Sequence, residues 1–314
     1  MGTKTDKAEA IRERYNIEES SLFDRITDNW LGYLFVLPTF LMFLGLFYFP
    51  IARGVQITFM RVNLGTVNDF IGLDNYLWVL TNDLFIHSLN TTILFALSTL
   101  IFQIILGIAA ALVLNELAKG YREWLAALIM APYFTAPIAA GITWKWFLHT
   151  QFGGITRVLT MFNLEPIAFL SEGVLPFLSI VAATVWHDFP WSGVVYLAAL
   201  ASIPPEQYEA AAMDGANRLQ RFRQVTLPHL KTPTIIVLAI RTVYQIKEFA
   251  IPFEITGGGP GSRTLLMSIW TYEIAYVERL LGRAFVVGII MIFLALIPVI
   301  LYIWAIEEEE ELYV

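Results

Sequence analysis

Six stretches of this 314-residue chain stay apolar for about as long as a helix needs to cross a bilayer: residues 30–50, 85–114, 125–148, 175–200, 234–253 and 284–306. A crossing takes about 20 predominantly apolar residues, each adding about 1.5 Å across roughly 30 Å of hydrocarbon. With 57% of residues hydrophobic and 15% charged, the chain holds more apolar sequence than a soluble core of its length can use. The expected fold is therefore all-α, a polytopic protein of six transmembrane helices in a multi-pass cell-membrane location, with membrane lipid around it. Pro38, Pro132, Pro137 and Pro190 fall inside these spans and predict kinks, and Arg241, Lys247 and Glu248 make the fifth span the least apolar.

The flanks set the orientation. Residues 1–29 mix Lys, Arg, Asp and Glu without an apolar core, and the first apolar run lacks a small-residue cleavage site, so it reads as a retained anchor behind a cytoplasmic N-terminal tail. With the N-terminus inside, the inner segments hold Lys119, Arg122, Arg218, Arg221, Arg223 and Lys231 besides the basic residues of the tail. The outer segments hold Arg53, Arg61, Arg157, Arg263, Arg279 and Arg283. This bias favours N-in and C-in. Much of the net charge of -7 belongs to the two tails, including an acidic C-terminal tail at residues 307–314, and is most simply solvated. One transmembrane domain, residues 30–306, is the expected organisation.

One long polar island, residues 202–230, interrupts the apolar pattern. Pro204 and Pro205 favour a helix start, so residues 206–213 predict a short helix. Gly215 tolerates the backbone conformation that ends one helix and turns into another, expected at residues 217–226, with Pro228 and Pro233 closing the bracket. On the orientation above, this helix-turn-helix bracket lies in the cytoplasm.

Its residues carry a resemblance. Glu209-Ala210-Ala211, then Gly215 after three intervening residues, then Val225, Leu227 and Pro228 resemble the EAA signature of the membrane-spanning subunits of ATP-binding-cassette (ABC) importers. Val225 is the one departure, where that family usually has Ile. The flanking residues 199–216, with Asp214 beside Gly215, and the Thr256-to-Pro260 segment look like the carbohydrate-uptake, maltose-type branch. The resemblance extends over residues 30–304. It implies that the bracket is a coupling helix seated in a groove of a cytoplasmic ABC ATPase dimer, with Glu209 pairing a basic residue there. It further implies a second permease subunit, an extracytoplasmic solute-binding protein docking near Gly257, Gly258, Gly259 and Pro260, and ATP and Mg²⁺ held by the partner ATPase, none by this chain. No nucleic-acid partner is expected.

Other chemistry finds little support. The glycine-rich segment lacks the Gly-Lys-Ser/Thr of a phosphate loop and reads as a sharp outer turn. His87, His149, His187 and His229 show no metal-ligand spacing, no nucleophile elbow is visible, and the chain has no cysteine. An enzyme active site is not expected. Polar groups inside spans carry more meaning, because charge in hydrocarbon costs several kcal/mol unless it meets a partner or a polar cavity. Arg241, Tyr244, Gln245 and Glu248 fall at i, i+3, i+4 and i+7, one helical face. Trp186-His187-Asp188 precedes Pro190-Trp191 near the middle of the fourth span, and Gln103 sits inside the second. Gln103, Asp188, Arg241, Tyr244, Gln245 and Glu248 are thus candidates for a solute path suited to a sugar or polyol, or for pairing that satisfies kinked backbone and a second permease. An ion-gradient-coupled secondary transporter, with Arg241, Glu248 and Asp188 as coupling charges, and a scaffold without transport are the rival readings; neither needs the bracket.

Overall fold

The computed structural model describes residues 30–63 and 66–312; the tail expected at residues 1–29 lies outside the described residues. Of the described residues, those up to Gln56 belong to one compact unit and those from Ile57 onward to another. In the first, α1 (Trp30–Phe43) continues through a π-helical turn (Leu44–Tyr48) into α2 (Phe49–Thr58). Residues Trp30–Thr58 are long and apolar enough to cross a membrane. The chain passes Pro38 inside α1 without a break, and the irregularity falls instead just before Pro50, whose missing N–H cannot join the regular bonding pattern.

The second unit opens with an exception to the all-helical expectation. Strands β1 (Met60–Asn63) and β2 (Thr66–Phe70) pair antiparallel, with Met60 opposite Phe70 and Val62 opposite Val67. The β-branched residues Val62, Thr66 and Val67 favour extended backbone, which an apolar-length count does not register. Then come α3 (Asp74–Leu80) and α4 (Asp83–Glu116), the latter 34 residues long and capped by Asn82, whose side chain accepts from the Leu84 N–H at 2.9 Å.

Helix α4 packs along α8 (Leu175–Ala201). Their contact is built from small residues: a Cβ on Gly107 would lie 2.9 Å from the Ser192 Cβ. Between lipid-facing helices no hydrophobic drive remains, so such close backbone approach is what supplies packing energy. Apolar length alone marks Asp83–Glu116 and Leu281–Trp304 as crossings in this unit. Helix α8 has the length but carries His187 and Asp188 at its middle, and both are buried.

Two of the expected spans are broken. The third divides into α5 (Lys119–Met130), a 3-10 turn (Pro132–Phe134) and α6 (Pro137–Phe147). Pro132 and Pro137 remove two N–H donors; Ala131 keeps helical angles, whereas Ala136 is pushed to ψ 131°, an extended value that ends helical bonding. After α7 (Gly154–Met161) and α8 comes the bracket: α9 (Pro205–Met213), α10 (Arg218–Arg221), a π-turn (Phe222–Thr226) and α11 (Leu227–His229). The fifth span then stops early. Helix α12 (Lys231–Ile246) ends before α13 (Ala250–Thr256), because the Pro252 ring would strike the carbonyl of Glu248 in a continuous helix. Helix α14 (Met267–Tyr272), a π-turn (Glu273–Val277) and α15 (Leu281–Leu312) complete the chain; α15 begins earlier than the sixth apolar run, and its backbone stays helical through the acidic run. Trp270 is buried in the main core against Trp78 and Phe85.

Candidate functional site

The bracket is a small, tightly specified object. Helix α9 ends in a double C-terminal bond: Gly215 N–H donates to the Ala212 carbonyl and Ala216 N–H to the Ala211 carbonyl, each at 3.0 Å. That geometry requires a left-handed residue between them, and Gly215 takes φ +78°. Asn217 restarts the chain with a reciprocal cap. The Gln220 N–H donates to Asn217 Oδ1 at 3.0 Å, and the Asn217 N–H donates to Gln220 Oε1 at 2.7 Å. Tyr208 on the first arm meets the Thr226 hydroxyl on the second, 3.0 Å away. Pro228 and Pro233 do not close the bracket as expected; each sits in the first turn of a new helix, where its lost N–H costs nothing.

Inside and outside faces separate clearly. Val225 and Leu230 are buried in a cluster with Ala111, Tyr196 and Leu200 of α4 and α8, and Tyr208 and Ala211 pack against it. Glu209, Ala210, Asp214 and Gly215 are exposed, as are Leu227 and Pro228, and Met213 is 88% exposed. The signature residues thus divide into those that bolt the bracket to two long helices and those exposed on its outer face. Tyr208 and Thr226 were not singled out in the sequence, and neither has a spacing that would have joined them.

The second candidate site is a buried polar network. Helix α4 supplies Gln103, α8 supplies His187 and Asp188, and α12 supplies Arg241 and Gln245, all buried. Arg241 forms an ion pair with Asp188 Oδ2 through Nη2, and its Nε donates to Gln103 Oε1 at 2.9 Å. Gln245 Nε2 donates to Asp188 Oδ2 at 2.9 Å, and His187 Nδ1 lies 2.7 Å from Asp188 Oδ1. His187 Nε2 faces the Thr135 carbonyl at 3.0 Å, in the break between α5 and α6. The Arg241 guanidinium lies 5.6 Å from the centre of the Trp191 ring. Gln103 Nε2, Gln245 Oε1 and Thr242 Oγ1 are buried without a hydrogen-bond partner among the described residues.

Four of the six path candidates are therefore joined by direct contacts, and the other two lie beside them. Tyr244 is 50% exposed and touches the network only through its ring beneath Arg241, at 5.8 Å. Glu248 lies past the end of α12, outside its regular helical face, yet within electrostatic reach of Asp188, His187 and Arg241; its Oε1 accepts from the Ile251 N–H at 3.3 Å at the start of α13. His187, noted in the sequence only as a neighbour of Asp188, proves central, since it reaches a carbonyl exposed by a proline break 52 residues away.

The glycine-rich turn follows α13. Gly257, Gly258 and Gly261 take positive φ, and the Ser262 carbonyl accepts from His87 Nε2 at 2.6 Å. No group of His, Asp and Glu able to hold a metal ion occurs among the described residues.

Comparison with known proteins finds the same architecture elsewhere. Residues 103–305 match the family described as binding-protein-dependent transport system inner membrane component. The chain is similar to the trehalose/maltose transport system permease protein MalF of Thermococcus litoralis, 34% identical over 244 residues that cover 77% of this chain and 82% of the relative. It is 28% identical to the sulfoquinovosyl glycerol transport system permease protein SmoG of Agrobacterium fabrum, with 88% and 90% coverage. Among solved structures, a bacterial alginate ABC transporter in complex with an alginate pentasaccharide-bound periplasmic protein contains a chain that superposes with TM-score 0.77 at 26% identity, covering 90% of this chain and 96% of that one.

Proposed function

This chain belongs to the family of binding-protein-dependent transport system inner membrane components, and from that premise we propose that it is the permease subunit of an ABC importer for a carbohydrate or related polyol. Membership sets aside the ion-gradient-coupled alternative, because members of this family are permease subunits whose energy comes from a separate ATPase. The relatives' names point to trehalose, maltose and sulfoquinovosyl glycerol, and the structural relative carries alginate, so the shared chemistry is a polyhydroxylated solute.

The observation that carries the reading is the bracket, with Glu209 and Ala210 exposed and Val225 and Leu230 bolted to α4 and α8. In our reading it is cytoplasmic and seats in an ATPase dimer that binds ATP and Mg²⁺. Six crossings with both termini inside accommodate this. The third is shared by α5 and α6, and the fifth by α12 and α13. A second permease completes the path, and a solute-binding protein delivers solute near Gly257 to Pro260. ATP-driven closure of the dimer moves the bracket, and with it α4 and α8, to alternate access to the centre.

Gln103, Asp188, Arg241 and Gln245 line that centre. Their unpartnered Gln103 Nε2 and Gln245 Oε1 offer a donor and an acceptor to solute hydroxyls, and Trp191 offers a face for a pyranose ring. The test is reconstitution of the assembled transporter in proteoliposomes with its binding protein. Loaded binding protein is expected to accelerate ATP hydrolysis and drive sugar uptake. Full uptake with no binding protein and no co-purifying ATPase would overturn the proposal.

A further inference from the structure

At the end of α4 remote from the bracket, a polar hollow opens between β1, α3 and the start of α15, lined by Arg61, Asp74, Asn75, Gly282 and Arg283. We propose that this hollow is a binding site for the phosphodiester group of a membrane phospholipid. The inference rests on the span assignment but on neither the solute nor the ATPase.

The hollow is built rather than incidental. Asn75 is buried and donates through Nδ2 to the carbonyls of Thr58 at 2.8 Å and Met60 at 3.0 Å, tying α3 to the end of α2 and to β1. Gly282 makes room for it, since a Cβ there would lie 2.6 Å from Asn75 Nδ2 and 2.8 Å from the Met60 carbonyl. The Arg283 guanidinium is held over the Trp78 ring at 4.2 Å, which fixes its plane. Arg61 enters the same hollow from β1.

Charge then names the ligand class. The lining itself holds two guanidiniums and one carboxylate, with Glu278 acting on Arg283 from outside it, and the singly negative phosphodiester matches the positive excess within the lining. Arginine forks match phosphate oxygens in pairs, and the neighbouring Asp74 carboxylate suits the amine or hydroxyl of a headgroup.

Position selects lipid as the source. The hollow sits where three helical segments end or begin: Thr58, Asp83 and Leu281. Two of those segments, α4 and α15, lie in this unit and are long and apolar enough to cross a membrane. Beside it, Leu73, Leu77 and Leu80 lie at i, i+4 and i+7, each more than half exposed, while Asn75 and Val79 on the opposite face of α3 are buried. A short helix that turns its apolar stripe outward at the ends of membrane spans is placed to lie in the interface, with acyl chains against the leucines and the headgroup at the arginines.

The experiment uses the assembled transporter purified in mild detergent, with phospholipid retained per complex measured by native mass spectrometry. Wild type is expected to hold phospholipid through washes, and Arg61→Gln to retain about tenfold less, the loss expected for one charged hydrogen-bonding partner. Arg61 is exposed, so this variant tests binding without disturbing the packed Arg283–Trp78 pair; Arg283→Gln should act in the same direction. Arg157→Gln, on a different outer segment, should retain lipid as wild type does. Equal retention in Arg61→Gln and wild type would overturn the site. Displacement of all bound lipid by millimolar inorganic phosphate would reassign the hollow to a free anion and overturn its lipid source.

Discussion

Gly215 with its neighbour Glu209, and the buried Arg241–Asp188 pair, bear most of the testable weight. Gly215 sits at φ +78° with open space around its missing Cβ, so a side chain there meets no neighbour and the penalty is purely conformational. Gly215→Val should cost about 1–2 kcal/mol at the turn or force α9 onward, misaiming Glu209, whereas Gly215→Asn should be tolerated because Asn enters the left-handed region with little strain. Co-purification of the ATPase and uptake in proteoliposomes check both variants, and equal behaviour of Val and Asn would remove the conformational argument. Glu209→Lys should break ATPase retention without altering the turn. Arg241 and Asp188 are 4% and 7% exposed, and losing either partner strands the other. Arg241→Gln or Asp188→Asn alone should destabilise by about 3–5 kcal/mol, and the double variant by less than the sum. Thermal unfolding of the purified complex reads this, and additive losses would show that the two side chains do not act as a pair. The bracket's residues were legible in the sequence because Pro, Gly and Asn announce turns through their own backbones. The network was half legible: a helical face places Arg241 and Gln245 together, but nothing in their spacing shows that His187 reaches Thr135 or that Pro252 ends the helix before Glu248.

At the scale of elements, the contact between α4 and α8 is set by absent side chains. A Cβ on Gly107 would stand 2.9 Å from the Ser192 Cβ and 3.2 Å from the Gly193 nitrogen, whereas one on Gly193 would find Ala110 at an ordinary 3.6 Å. Gly107→Ala should therefore push the helices apart and destabilise by about 1–3 kcal/mol, outweighing the helix-propensity gain of about 1 kcal/mol, while Gly193→Ala should be near neutral or better. Comparison of melting temperatures in detergent and of uptake decides this; the reverse ranking would mean that the helices meet elsewhere. Helix existence was readable from apolar length at α1–α2, α4 and α15, where no charged residue interrupts the apolar run. It failed at the third and fifth spans for one reason, since a window that counts apolar residues does not weigh a proline's effect on the carbonyl four residues earlier. The hairpin at Met60–Phe70 escaped for another, being too short and too polar to register beside six long apolar runs.

For the whole molecule, family membership makes this chain one part of a larger machine, and its isolated energetics are only part of the answer. The membrane complex alone is expected to hydrolyse ATP slowly, with loaded binding protein raising the rate and Gly215→Val abolishing that rise even where some ATPase stays bound; an unstimulated wild-type rate accompanied by full uptake would count against this. Within the chain, α4 carries 34 residues without a proline, about 51 Å of continuous helix, from the neighbourhood of the arginine hollow to Glu116, which shares a cleft with Tyr208 and Arg218 of the bracket. Such a rod transmits displacement without slack. In the proposed transport cycle the two ends of this helix therefore move together, and any delay between the opening of one face and the sealing of the other arises at the joints, residues 131–136 and 247–249, where the expected third and fifth spans leave the helical path.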